Sequence, residues 1–311
     1  MTMPRKRILL AVDGSDASLE TVRYVAKIFP ADRTEVVLFH VAATIPGIFW
    51  HIGEEFRDRT APARAWVHET HRAMSAFMRE AAHELTHAGF SPETVAIKIE
   101  RQHNSIVRDI VAEATGDYDA VVVSRQGLSR AKDTLIGKTG NHLMNRLRNM
   151  PIIVVSGNPS TQKVMIAMDS TDDASRGVAC VGQLLAETPA RITLCHAIKS
   201  RMMYYLPANL YYAEGQDETW VTRSREHIDP WIEKAQGRLI EAGIAPERIS
   251  VSIVEDCSSR ATGLLEEARN TGIGTIVTGR RHLSALESLL FGSVSRQIVN
   301  WARGMAVWVA A

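Results

Sequence analysis

Cysteine is scarce in this chain. Three thiols, Cys180, Cys195 and Cys257, among 311 residues cannot make a disulfide framework, and their spacing matches no metal-ligand pattern. A reducing compartment, the cytoplasm, is therefore expected. Long apolar runs are missing too: nothing approaches the ~18 consecutive apolar residues of a membrane-spanning helix. The basic start MTMPRKR leads into an apolar stretch, Ile8 to Val12, that Asp13 cuts off before it could be a signal-peptide core. Nor is there an excess of either charge. With 36 Lys plus Arg against 35 Asp plus Glu, a net +1, no summed field draws the chain to nucleic acid or to an anionic membrane. Partners must be read from local sites.

What is present suits a globular protein. Hydrophobic residues at 45% and charged residues at 23% are wrong for a disordered or coiled-coil chain, and the length suffices for two cores. The chain also aligns with itself at an offset of about 155 residues. KRILLAVDGSDAS from Lys6 matches KVMIAMDSTDDAS from Lys163, with Asp13 over Asp169. EVVLFHVA from Glu35 matches RITLCHAI from Arg191, with His40 over His196. AGFSPETVAIKI, YDAVVVSRQGLS and Gly137 find counterparts in AGIAPERISVSI, IGTIVTGRRHLS and Gly292. Duplication explains five blocks in the same order. The units are read as 1–157 and 162–311, joined by a polar, turn-rich linker from Gly157 to Gln162.

Within each unit, short apolar runs alternate with longer segments of helical period, which argues βα units and a parallel sheet. Strands are expected at Arg7–Val12, Glu35–Val41, Thr94–Glu100, Asp119–Ser124 and Ile152–Val155, and again at Val164–Met168, Arg191–Ala197, Ile249–Val254, Thr275–Thr278 and Ala306–Val309. Runs such as LLAV and AVVV are apolar at successive positions, as in strands covered on both faces. Ligands of such doubly wound α/β sheets sit at strand carboxyl ends. After the second strands, Ala43 to Pro62 and Lys199 to Asp217 read as loops. Phe49, Trp50, Phe56, Tyr204, Tyr205, Tyr211 and Tyr212 make these a lid, a partner surface or merely small cores of their own.

Several motifs fail on inspection. His83-Glu84-Leu85-Thr86-His87 has the zinc-protease form HExxH, but at 100° per residue from Phe77 its histidines fall near 240° and 280°, about opposite the apolar face of Met74, Phe77, Met78, Ala81 and Leu85. Gly137-Lys138-Thr139 imitates a P-loop end, yet Lys132 stands where the first glycine belongs. His51-Ile52-Gly53-Glu54 lies after the wrong strand for a synthetase signature. What remains is an aspartate ending each first strand and a glycine-containing loop after each fourth strand. In the second unit, Gly279 to Ser295 brings small residues whose amides can approach an anion. Gly292, Ser293, Val294 and Ser295 open a helix whose dipole favours phosphate. Asp169 could accept from ribose hydroxyls. The plain alternative is that Asp169 and Ser293 are helix N-caps and the glycines only close turns.

On these residues the chain resembles the universal stress protein family in a tandem form, over essentially its whole length. The resemblance implies two Rossmann-like domains of the adenine nucleotide alpha-hydrolase kind. In the family's ATP-binding branch a first-strand Asp accompanies the pattern G-x2-G-x9-G-[ST]. The second unit matches at Asp169, Gly279 and Gly292-Ser293 but has His282 at the second glycine. The first matches at Asp13, Gly127 and Gly137, with Ser124 for the first glycine and Lys138, followed by Thr139, for the hydroxyl residue. His282 either crowds a phosphate or donates to it, and Lys138 can replace a hydroxyl contact by a charge. The resemblance further places Val41 and Ala197 against the adenine and pairs the fifth strands, Ile152–Val155 with Val307–Val309, into an internal pseudo-dimer. Whether two chains then form a homodimer is left open.

The expected ligand is ATP, or ADP or AMP, with Mg only as carried by the nucleotide, and the second unit is the better match. The function implied is a stress-response sensor or regulator without dedicated catalysis, since no nucleophile or poised acid–base pair is evident. Cys257 near the site is a redox-sensitive thiol or, more plainly, a small packed residue. A rival of another class is a nucleotide-independent interaction module whose pockets have decayed.

Overall fold

The computed structural model describes residues 5–42, 57–125, 143–200, 216–280 and 293–311. The first unit runs β1 (Lys6–Ala11), α1 (Asp16–Ile28), β2 (Thr34–Ala42), α2 (Arg57–His87), β3 (Val95–Arg101), α3 (Ile106–Ala114), β4 (Ala120–Ser124), a helical turn at 143–146 and β5 (Ile152–Val155). The second repeats it as β6 (Lys163–Ala167), α4 (Asp172–Leu185), β7 (Arg191–Lys199), α5 (Gln216–Glu241), β8 (Ile249–Cys257), α6 (Arg260–Thr271), β9 (Thr275–Gly279), α7 (Ser293–Trp301) and β10 (Ala306–Ala310).

The strands form one sheet in the order β3-β2-β1-β4-β5-β10-β9-β6-β7-β8. Every neighbouring pair is parallel except the central one, where β5 meets β10 antiparallel with Ile152 opposite Val309 and Val155 opposite Ala306. The fifth strands thus pair within one chain, as the family resemblance implies, and close what would otherwise be two open edges.

Alternate residues of a strand enter different cores. Ile8 and Leu10 join α1 and α2 through Val22, Val25, Met78 and Leu85, whereas Leu9 joins α3 and the turn at 143–146 on the other face. That double coverage is why the strand sequences are apolar at consecutive positions.

Most strand ends differ from the sequence expectation by one or two residues, and three differences have a local reason. Thr94 belongs to a 3-10 turn, Pro92–Thr94, because Pro92 fixes the backbone there. The strand expected to end at Val254 continues to Cys257, past a register shift opposite Ala197 and Lys199. Asp256 within it adopts φ 54°, the only non-glycine positive φ among the described residues. Helix α2 starts at Arg57, inside the loop expected to reach Pro62; Arg57 to Ala61 includes good helix formers, and the helix continues through the proline.

The two units are also locked by side chains. Trp308 of β10 is fully buried, donates through Nε1 to Tyr24 Oη at 2.9 Å and stacks on Phe29 with centroids 5.8 Å apart. Tyr24 Oη lies 2.9 Å from Thr275 Oγ1 of the other unit. Two arginines at equivalent positions are exchanged. Arg125, after β4, donates to Ala302 O at 3.0 Å and to Asn300 O at the end of α7, while Arg280, after β9, donates to Leu147 O at 2.8 Å. Arg125 thus meets carbonyls at the carboxyl end of α7, where the helix dipole is negative, and Arg280 meets one just after the helical turn at 143–146. Burial lowers both guanidinium pKa values, that of Arg280 to about 10.

Candidate functional site

In each unit the chain leaves the first strand to one side, builds two strands outward, then returns to place the fourth strand on the other side of the first. The carboxyl ends diverge at this switch point and open a crevice. A cleft open to solvent lies there in both units.

The first cleft gathers Asp13, Ser18, His40, Val41 and Ser124 with an apolar wall that includes Val12, Phe39, Ile106 and Ile110. Ser15 caps α1 by accepting from Ser18 N. Asp13 therefore stands outside the helix end; its Oδ1 accepts from Ser15 Oγ and Ser18 Oγ, both at 2.6 Å, and from Ser15 N at 3.1 Å. Desolvation on its own would raise this carboxyl, but those three donors outweigh it and hold the group below its usual range. It is an anion at neutral pH. Ser124, the last residue of β4, is buried, and its hydroxyl has no hydrogen-bond partner among the described residues.

The second cleft gathers Asp169, Ala197, Gly279, Val294 and Ser295 with Asp173, Arg260, Leu264 and Thr278. Here Thr171 is the N-cap residue of α4, and its hydroxyl donates to Asp169 Oδ1. The expected alternative, an aspartate serving as helix cap, is not what the chain adopts in either unit.

The paired histidines act alike. His40 Nδ1 lies 2.9 Å from Val12 O and His196 Nδ1 2.8 Å from Met168 O. A carbonyl only accepts, so Nδ1 carries the proton, and the ring pins the end of the first strand to the second. Burial pulls both imidazoles below their ordinary pKa, against the stabilising pull of those carbonyls.

Two site residues behave differently from expectation. Ser295 Oγ donates to Gly279 O at 3.1 Å, so its proton ties the first turn of α7 to β9 and is not offered to an anion. A Cβ on Gly279 would sit 1.8 Å from Asp173 O; the small residue there admits the first turn of α4. Gly127, Gly137, Lys138, Thr139, His282 and Gly292 lie outside the described residues, as do most of the two aromatic loops. Ser293 is described only as the first residue of α7. Cys257 packs its Sγ against Gly263, and burial raises its thiol pKa, so it is a packed residue and not an activated thiolate. His83 and His87 lie on the exposed face of α2, and no cluster of three potential metal ligands occurs among the described residues.

Sequence reasoning missed Ser18, Ser124 as a cleft residue, Asp173 and Arg260. The last had a signal in the repeat: Ser105-Ile106 aligns with Ser259-Arg260, at two helix starts that each lie beside a cleft.

The model of the universal stress protein family matches residues 4–156 and, separately, 160–309. The chain belongs to this family. Universal stress protein YxiE of Bacillus subtilis (strain 168) is 23% identical over 140 residues, 44% of this chain and 90% of the relative. Among solved structures, a universal stress protein from Archaeoglobus fulgidus DSM 4304 shares 16% identity with a TM-score of 0.59, covering 98% of this chain and 97% of that one. A functionally unknown protein, PA1789 of Pseudomonas aeruginosa PAO1, shares 14% with a TM-score of 0.56, covering 98% and 92%. At these identities the structural likeness concerns the fold, which in this chain is two tandem universal stress protein domains sharing one mostly parallel sheet. No helix among the described residues is long and apolar enough to cross a membrane.

Proposed function

We propose that this universal stress protein binds ATP or a related adenine nucleotide in its two clefts and acts as a sensor or regulator without dedicated catalysis. One observation carries the reading: in both units an aspartate not used as a helix cap, the small apolar residue after the second-strand histidine, and the end of the fourth strand line the same crevice. Both clefts lie at the carboxyl ends of the strands, at the switch point where open α/β sheets take their ligands. In this reading Val41 and Ala197 lie against the base, Asp13 and Asp169 accept from ribose hydroxyls, and phosphates extend towards the start of α7 and its first-unit counterpart. Arg260 supplies the second cleft with a cation suited to an anionic ligand. Any Mg arrives with the nucleotide.

A second reading, a nucleotide-independent interaction module, is favoured by Ser295, whose proton is already committed to Gly279. Thermal melts separate the two, because a ligand that binds only the folded state stabilises it by RT ln(1 + [L]/Kd). The nucleotide reading expects a melting temperature that climbs with ATP concentration. A melt unchanged by ATP, ADP and AMP at millimolar concentration leaves the module.

A further inference from the structure

The ten-stranded sheet ends in β3 on one side and β8 on the other, each paired with a single neighbour among the described residues. A free edge offers its backbone N–H and C=O groups to another strand unless something guards it. The two edges hold equivalent places in the repeat, Val95–Glu100 over Ile249–Val254, with Ile97 over Val251. They are guarded differently. On β3, Lys98 Nζ donates to Glu113 Oε2 at 2.7 Å and lies 3.5 Å from Glu100 Oε1, and Arg101 follows, so charge stands along that edge. From Ile249 to Val254, β8 has no charged residue and no proline. Its register with β7 is regular over this stretch, and the shift comes only past Val254. Val251, at the middle, is 42% exposed, and Ser250 beside it is exposed.

The unguarded stretch is also a palindrome, Ile249-Ser250-Val251-Ser252-Ile253. Set antiparallel against a second copy with Val251 on the twofold axis, it brings Ile249 opposite Ile253, Ser250 opposite Ser252 and Val251 opposite itself. Like side chains then meet on both faces, apolar on one and hydroxyl on the other. A twofold contact between copies requires such self-complementarity, whereas pairing with an unrelated strand does not. Just beyond, Glu255 is held by Arg225 of α5, and Asp256 at φ 54° ends the regular backbone, which limits the pairing to the uncharged residues.

We propose that β8 is a dimerisation edge, at which two copies of this chain pair antiparallel through Ile249–Ile253 and join two ten-stranded sheets into one. The charged β3 edge of each copy stays outside the contact. This interface is independent of the nucleotide reading.

The test is sedimentation equilibrium of the full chain over a range of concentrations. Wild type is expected to pass from one to two chain masses as concentration rises. Val251→Lys and Val251→Glu each set like charges opposite one another across the twofold and should stay monomeric. A one-to-one mixture of the two variants should recover the dimer, because lysine then faces glutamate, and that recovery also shows both variants to be folded. Ile97→Lys, the matching change on β3, should leave the dimer intact. A wild type that stays monomeric throughout leaves the edge to a strand of another protein and overturns the proposal. So does a dimer that survives Val251→Lys, that the mixture fails to restore, or that Ile97→Lys abolishes.

Discussion

His196 is buried, with its Nδ1 proton held by Met168 O. Burial, reinforced by the neighbouring charge of Arg260 and by His227, keeps its pKa below the ordinary 6.5, against the opposing pull of the Met168 carbonyl and Asp169. The sign of the linkage follows: as pH falls through 6.5 the unfolded chain binds the proton first, so stability present above that pH is lost below it. His40 contributes in the same direction. Urea midpoints should therefore be lower at pH 5.5 than at pH 7.5. The difference should shrink in His196→Asn, whose amide keeps a donor near the Nδ1 position and does not titrate. An equal pH dependence in the variant would remove His196 from this role.

Among the elements, the close packing of α4 on β9 is the sharpest constraint. Adding a methyl at Gly279 meets the backbone carbonyl of Asp173, not a side chain that can turn aside. Gly279→Ala should cost about 1–3 kcal/mol in chemical denaturation. Gly237→Ala, in the interior of α5 with nothing near the new Cβ, should instead stabilise by about 0.5–1 kcal/mol through helix propensity. Equal stability of Gly279→Ala and wild type would mean that α4 yields without strain. The strands were legible because a sheet covered on both faces leaves unbroken apolar runs, and the repeat doubled each signal. The continuation of β8 through Glu255 and Asp256 was not, since a bulge and a positive φ at an aspartate have no hydrophobic pattern. The repeat and the family motif indicated Asp13, Asp169, Val41 and Ala197 before any geometry was known. Ser295 was recognisable as a helix-start hydroxyl, but its commitment to Gly279 depends on how α7 seats against β9.

Across the whole molecule, the two units face each other through β5 and β10, and the exchanged arginines carry information that no local pattern holds. The carbonyl partners of Arg125 lie at Asn300 and Ala302, in the other unit. Arg125→Met, similar in length but without donors, should lower stability by about 1–3 kcal/mol because carbonyls at the α7 end lose their partner. Denaturation that remains as stable as wild type would show that the buried cation contributes nothing net, an outcome known for buried ion pairs elsewhere. The same helix presents Val294 and Ser295 to the second cleft, so the interface and that cleft share one helix.

The central claim is that a nucleotide seats against the aspartates that end the first strands. It is tested most directly by titrating ATP calorimetrically into the wild-type chain and into Asp13→Asn/Asp169→Asn. The account predicts saturable heat in the wild type and at least about a tenfold loss of affinity in the double variant, as expected when charge-assisted hydrogen bonds are removed. Absence of heat at millimolar ATP, or equal affinity in the two proteins, would contradict it.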